Sequence, residues 1–492
     1  MHKILLNTPF GFVFELENEL CYFAGKYEVF LNEEYHSSQN TNVCAIFGLK
    51  PDTFYNISLR GTNWRVDFLV CTQKPVSVLD IRDYNASPDS NQDSTAAINA
   101  AIYTAQAGDV VYIPSGEYTV SQILLKSGVD IYLAKGAVIK QSIDRQNLAV
   151  LKGYQKDYEF NSARINASWE GHPLDSYCSL VYGKDISDVR IYGEGILDGN
   201  GDIGGFWENP KAKNIAFRPK NILLVNCKCI TLSGFTSRNS ASWNIHPLYT
   251  DDFAAYALKI ESYEDSPNTD GLNPESCENV EIIGCNFSVG DDCIAIKAGK
   301  FYMSQKHYKP CKNITIRNCY MEKGHGAVVI GSEISCGVQN VYVSRCVFSQ
   351  TDRGLRIKTR RGRGELSVVS SITFENVVMD RVVHGFVVNM FYFCDPDGKS
   401  EYVRSKETLP VDKQTPKIGD ICLKSIRATE ISGSAIFVYG LPESPVARLD
   451  VVDCKFEFAA QRVLECPAMM EDFLVEKPID FYVKNVEECF GV

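Results

Sequence analysis

Cys277-Glu-Asn-Val-Glu-Ile-Ile-Gly-Cys-Asn-Phe-Ser-Val-Gly-Asp-Asp-Cys-Ile-Ala-Ile-Lys297 is one turn of a pattern that recurs on both sides of it. Thr250-Asp-Asp-Phe253 precedes it, and Cys311-Lys-Asn-Ile314, Val338-Gln-Asn-Val341 and Val369-Ser-Ser-Ile372 follow, at spacings of 27, 34, 27 and 31 residues. The third position reads Asp252, Asn279, Asn313, Asn340 and Ser371, a stacked polar turn. The ninth reads Leu258, Cys285, Cys319, Cys346 and Val377, an inward apolar column in which free Cys acts as a small hydrophobe. The eleventh reads Ile260, Phe287, Met321, Phe348 and Met379. A recurrence of about 20 to 50 residues signals a solenoid. Ladders of like residues predict an all-β chain wound as a right-handed parallel β-helix, with each turn stacked on the last.

Upstream of the repeats, Asp93-Ser-Thr-Ala-Ala-Ile-Asn-Ala-Ala-Ile-Tyr-Thr-Ala105 reads as a short amphipathic helix with a polar start. Gly-broken strands follow it, beginning at Gly108 and Val129. A helix at this point caps the end of a stack that would otherwise expose a sheet edge. Residues 1–75 differ in character. Phe10–Leu16, Tyr27–Leu31, Val43–Phe47 and Trp64–Val70 read as short strands parted by turn residues, a small β-sandwich. Leu49-Lys-Pro-Asp-Thr-Phe-Tyr55 resembles the Leu-x-Pro-x-Thr-x-Tyr corner of fibronectin type III domains, in which the Tyr bonds a turn of backbone. The chain thus divides into a fibronectin type III-like sandwich, 1–75, expected to pack on its neighbour, and a β-helix, 76–492.

Bulk properties narrow the partners. The 492 residues are 45% hydrophobic and 23% charged, with a net charge of −11, which argues against nucleic acid or an anionic membrane surface. No apolar run approaches membrane-spanning length. The stretch from Met1 to Phe12 shows no clear apolar core followed by a small-residue cleavage site, so the chain is expected to be cytoplasmic. The 18 Cys are spread along the chain and several fall on the inward ladder, which suits a reduced compartment.

The chemistry gathers in two Gly-flanked turns. Asp270 lies in Asn268-Thr-Asp-Gly271, and Asp291 and Asp292 lie in Gly290-Asp-Asp-Cys293. Paired carboxylates are the minimum equipment for acid and base work on an acetal. Adjacent like charges do not ionise independently, so Asp291 and Asp292 are expected to have separated pKa values, one of them raised. The fifteenth repeat position holds Asp291 on one turn and His325 on the next, while Arg356 and Lys358 share a strand face by period-2 alternation. Acid, imidazole and base therefore line one outer groove, suited to a polymer or oligomer. Arg353, Arg356, Lys358, Arg360, Arg361 and Arg363 read as a positive patch on an acidic protein.

These motifs, Asn268-Thr-Asp270, Gly290-Asp-Asp292, Gly324-His-Gly326 and Arg356-Ile-Lys358 in that order, closely resemble the polygalacturonases, glycoside hydrolase family 28. The likeness runs over roughly residues 77–455, and the N-terminal module resembles the arrangement of certain bacterial exo-acting members. It implies hydrolysis of α-1,4-galacturonosidic bonds with inversion. Asp291 would be the general acid, Asp270 and Asp292 would hold and deprotonate the water, and His325 would tune the acid. An inverting acid and base are expected about 6.5–9.5 Å apart. Arg356 and Lys358 would hold a uronate carboxylate, Arg as a planar fork and Lys as a compact charge. Asn268 is implied as a further substrate contact. Tyr392 and His246 are candidates too, with a buried core role as the alternative for each. No metal or organic cofactor is implied.

Exo action on galacturonate oligomers is expected because residues 141–181 and 393–418 are long stretches between ladder strands, placed to wall off one end of the groove. A rhamnogalacturonan hydrolase and a pectate lyase share the fold, and a non-catalytic carbohydrate-binding solenoid is the alternative of a different class. Arg356 and Lys358 favour a uronate over rhamnogalacturonan. The three Asp alone make no Ca²⁺ cage of the lyase kind, and a binding solenoid has no need of the acid, base and imidazole set.

Overall fold

A computed structural model describes residues 2–146, 148–154 and 165–492, and in it the repeats become three parallel sheets wound as a right-handed β-helix. One face stacks 14 strands between Val78–Asp80 and Val486–Phe490, and a second stacks 11 between Gly116–Val120 and Lys455–Phe458. The third face is in two pieces, 4 strands ending at Ile245–Leu248 and 6 beginning at Ile294–Ile296. Single bridges through Leu272 join them. Asp270 stands at that join.

The register is the one the repeats predict. Phe253, Val280, Ile314, Val341 and Ile372 pair in turn along the first face. Ile260, Phe287, Met321, Phe348 and Met379 pair along the second, all fully buried. At the third repeat position, φ lies between +52° and +59° for all five residues, a conformation that Asn and Asp tolerate better than most side chains. Each Asn also ties its coil to the one before it. Asn279 Nδ2 donates to Asp252 Oδ1 (2.9 Å), Asn313 to Asn279 (3.1 Å) and Asn340 to Asn313 (3.1 Å). The cap helix Thr95–Thr104 buries Ile98, Ala101 and Ile102 against the first coils.

The N-terminal strands form two antiparallel sheets, His2–Thr8, Gly11–Leu16 and Val43–Phe47 in one, and Glu34–Thr41, Phe23–Leu31, Phe54–Gly61 and Arg65–Cys71 in the other. Glu34–Thr41 escapes a reading by periodicity because it is a polar edge strand with no buried residue. The corner tyrosine acts as expected: its hydroxyl accepts from the Lys50 N–H (3.0 Å). The module packs on the β-helix through Leu6, Val13, Val43 and Phe47, which cover Tyr132, Tyr192, Tyr256 and Ile283 of the outer face.

Glu15 fastens this junction. Its carboxylate, almost fully buried, accepts from Arg317 (2.8 Å), Arg345 (3.0 Å) and Asn318 (2.7 Å). Burial pushes its pKa up from 4.5, but the two guanidinium groups and Asn318 outweigh that and hold it lower. Its contribution is therefore complete above about pH 4.5 and is lost as pH falls through the depressed value. Glu15→Ala leaves two cations facing an apolar seam and is expected to cost about 3 kcal/mol. Urea denaturation followed by fluorescence checks this, and an unchanged midpoint would remove Glu15 from the junction.

Candidate active site

The third face positions the reacting groups. Asp291 and Asp292 precede the strand Ile294–Ile296, His325 precedes Val328–Gly331, and Arg356 and Lys358 lie within Arg353–Lys358. Asp270 comes in beside them because Gly271 and Leu272 donate to the carbonyls of Asp292 and Cys293 (3.0 and 3.1 Å). Gly324 has φ +77°, and a Cβ there would stand 2.6 Å from the Asp291 carbonyl, so only Gly lets this turn close on the acid pair.

A cavity of about 380 Å³ holds the set, at the small end of ligand pockets of about 300–1,000 Å³. Asn268, Asp270, Asp291, Asp292, His325, Arg356, Lys358 and Tyr392 all line it. One oxygen from each Asp lies within 4.8 Å of the others, tighter than the separation expected of an inverting pair. Consecutive residues and a directly stacked coil leave no more room. Acceptors about 4.8 Å apart are still bridged by one water making bonds of roughly 2.8 Å to each.

Each carboxylate has its own cation. Asp291 Oδ1 is 3.4 Å from His325 Nδ1, Asp292 Oδ2 is 2.8 Å from Lys358 Nζ, and Arg356 Nη1 lies 3.9 Å from Asp292 Oδ1. Asp270 Oδ2 accepts from Asn273 Nδ2 (2.8 Å), and its nearest cation, Lys297, is 4.0 Å away. The raised pKa falls on Asp270. Burial first, then the charge of Asp291, pushes it up to about 8, against weaker opposition from Lys297. Burial also pushes Asp291 up, but the bond and charge of His325, then Lys358 and Lys297, hold it well below the usual carboxylate range. His325 is raised to about 9, chiefly by its bond to Asp291. At neutral pH the site thus stores one proton on Asp270 and one on the Asp291–His325 pair. Three carboxylates are also a cation's donor set, yet the Lys358 ammonium already sits at direct contact with Asp292, where a metal would bind.

Three expectations are corrected. His246 makes no wall of the cavity. It is fully buried, its Nε2 bonds Glu275 Oε2 (2.9 Å), and its ring stands edge-on to Trp243, which does line the cavity. The arginine patch is not free. Arg361 is fully buried on Glu443 (2.6 Å) and the carbonyls of Tyr402, Ser405 and Glu407, and Arg360 and Arg363 are paired with Asp395. Loops distant in sequence bring those acceptors, which no local reading reveals. The third correction is the carboxylate spacing.

Other lining residues lie outside the motifs. Trp243, Lys297 and Glu333 line the cavity, as do Glu170 and Lys211, themselves ion-paired at 2.6 Å. Phe393, Cys394, Asp395 and Met469 complete the wall. The two long stretches thus contribute Glu170 and Phe393–Asp395, while residues 147 and 155–164 of the first lie outside the described residues. Lys211 and Met469 carry no signal in the sequence. Lys297 carries one, since it falls on the repeat position of Lys358. Arg218 donates to Asn268 Oδ1 (2.7 Å) and fixes that side chain.

The stored protons predict a pH profile. On the alkaline side kcat/KM is expected to fall through about pH 8 and about 9, as Asp270 and then His325 lose protons. In His325→Asn the second break disappears and the limb falls with the slope of one proton. A two-proton slope surviving in that variant would contradict the assignment.

Residues 111–471 match the family model described as Glycosyl hydrolases family 28. The chain is 28% identical over 387 residues to a probable polygalacturonase of Vitis vinifera, covering 77% of this chain and 74% of that one. It is 26% identical over 432 residues to an exo-poly-α-D-galacturonosidase of Dickeya chrysanthemi, covering 79% and 69%. Among solved structures, a family 28 exopolygalacturonase of Yersinia enterocolitica aligns with a TM-score of 0.70 at 20% identity, covering 99% of this chain and 98% of that one. A hyperthermoactive exopolygalacturonase from Thermotoga maritima aligns at 0.67 with 24% identity, covering 85% and 93%. At those identities the structural likeness speaks for the fold.

Proposed function

This chain belongs to family 28 of the glycosyl hydrolases, and on that footing we propose that it hydrolyses α-1,4-galacturonosidic bonds, removing sugar from chain ends with inversion. The observation that carries the reading is the shared cavity, where Asp270, Asp291, Asp292 and His325 stand beside Arg356 and Lys358.

The uronate carboxylate displaces Asp292 as the partner of Arg356 and shares Lys358, which fixes the sugar against Tyr392. His325 passes the proton of the pair through Asp291 to the glycosidic oxygen and is reprotonated from solvent after each turnover. Water bridged by Asp270 and Asp292 attacks the anomeric carbon from the opposite side, and Asp292 takes its proton. Asp270, neutral at working pH, orients the water and spares the pocket a third negative charge. The small cavity, with the Glu170–Lys211 ion pair and Phe393–Asp395 in its lining, supports action at a chain end. The relatives from Vitis vinifera and Dickeya chrysanthemi support the substrate class.

A time course on galacturonate oligomers, followed by product size and proton NMR of the new reducing end, tests each part. Early release of one small product as the β-anomer is expected. An α-anomer would replace inversion with retention, and a broad ladder of sizes would replace end-cutting with internal cleavage. An unsaturated, ultraviolet-absorbing product would replace hydrolysis with elimination.

A further inference from the structure

We propose that Lys297 is the positioning residue of this site, the group that places Asp270 against the attacking water and holds the Trp243 ring in the lining of the sugar pocket. The inference rests on the reaction proposed above and deepens it. Lys297 is nearly fully buried, with Nζ 2.9 Å from Glu333 Oε2 and 4.0 Å from Asp270 Oδ2. It also lies 4.9 Å from the centre of the Trp243 ring, and Lys220 lies 5.4 Å from the same ring. Trp243 is thus gripped by two buried ammonium groups and by His246 at its edge, itself fixed by Glu275. A ring so held has one orientation to offer a sugar.

The repeat explains how a lysine reaches this place. Ile296, Ile330 and Ile357 pair in register, so Lys297, Gly331 and Lys358 follow at one position on three successive coils. Gly331 has φ +107°, and a Cβ there would stand 2.2 Å from the Lys358 carbonyl. With Gly in the middle, no third side chain stands between the two lysines, one against Asp292 and the other near Asp270. Glu333 pulls Lys297 to one side and so keeps it from contacting Asp270 directly. A lysine in direct contact would strip Asp270 of the proton it stores. The other titratable groups facing Lys297 are Asp291, Asp292, Lys358 and His246.

Two variants with opposite expected signs test the idea. In Lys297→Met, kcat on galacturonate oligomers is expected to fall about 100-fold with KM within about threefold, the scale of a misplaced reacting group. Asp270 loses its nearest cation, so the lower alkaline break moves above pH 8. Lys297→Arg is expected to recover most of both. In Glu333→Gln, Lys297 is released toward Asp270 and the same break moves below pH 8. Carbon-13 NMR titration of the Asp carboxyls reads both shifts without substrate, so a chain inactive on galacturonates would sink the substrate reading and leave this test intact. Melting curves confirm that each variant folds, and Glu333→Gln stands alone if Lys297→Met does not. A break that stays at pH 8 in the folded variants, whatever the loss of rate, would overturn the proposal.

Discussion

Asp291→Asn is expected to lower kcat on galacturonate oligomers by about 10⁴-fold while oligomer affinity stays within a few-fold of the unaltered chain. The amide keeps the size of the carboxyl and removes the carboxylate that relays the His325 proton. His325 loses the carboxylate that orients it at 3.4 Å and relays its proton, and Lys358 is engaged with Asp292. The variant also releases His325 from the partner that raises it to about 9, so its pKa returns toward 6.5. Leaving-group dependence makes the test specific. An oligomer's sugar alkoxide needs the acid, whereas a nitrophenolate leaves without one, so nitrophenyl galacturonide is expected to lose far less rate than the oligomer. Calorimetry on the oligomer gives affinity and steady-state rates give kcat. Equal losses on the two substrates would remove Asp291 from the acid role.

Arg356→Ala is expected to lower kcat/KM on galacturonate oligomers by about 1,000-fold, mostly in KM, because two charge-assisted bonds to one carboxylate are each worth about 2 kcal/mol. Arg356 is nearly fully buried, 3.9 Å from Asp292 Oδ1 and 5.7 Å from the Tyr392 ring, and among the described residues no acid closer than Asp292 pairs with its guanidinium. That leaves its fork to the substrate. Arg356→Lys recovers little, since a point charge does not reproduce a planar pair of donors. Lys358→Ala differs in kind. Its ammonium is 2.8 Å from Asp292, so its loss is expected to fall on kcat as well as on KM. Methyl-esterified oligomers supply the control. If Arg356 reads the carboxylate, esterification and Arg356→Ala cost less together than the sum of each alone. Strict additivity would mean that Arg356 supports the wall and leaves recognition to another group.

Much of this molecule is legible in its sequence because a parallel β-helix turns repeat position into spatial neighbourhood. Residues at one position of successive repeats are stacked strand on strand. Asn279, Asn313 and Asn340 could therefore be placed in one ladder, Phe287, Met321 and Phe348 in one core column, and His325 beside Asp291, with no coordinates at all. The same logic places Arg356 and Lys358 on one face over the acid pair.

What periodicity does not carry is reach and company. It says which face a side chain leaves from, and not which opposite charge arrives there from a distant loop. Arg361 and Arg363 read like Arg356 along the chain, yet Glu443 and Asp395, brought in by loops outside the repeat, make them structural. His246 stands in a motif-like run, but Trp243 lies between it and the cavity and Glu275 takes its ring nitrogen. The proton on Asp270 rests on burial and on the charge of Asp291, with Lys297 4.0 Å away and bonded to Glu333 at 2.9 Å. The lining of the pocket includes Glu170, Lys211 and Met469, which come from three separate excursions of the chain. Backbone stacking is a short-range, repeated interaction, and a sequence displays it. Charge pairing and loop closure are settled by distances between parts of the chain that only the complete fold brings together.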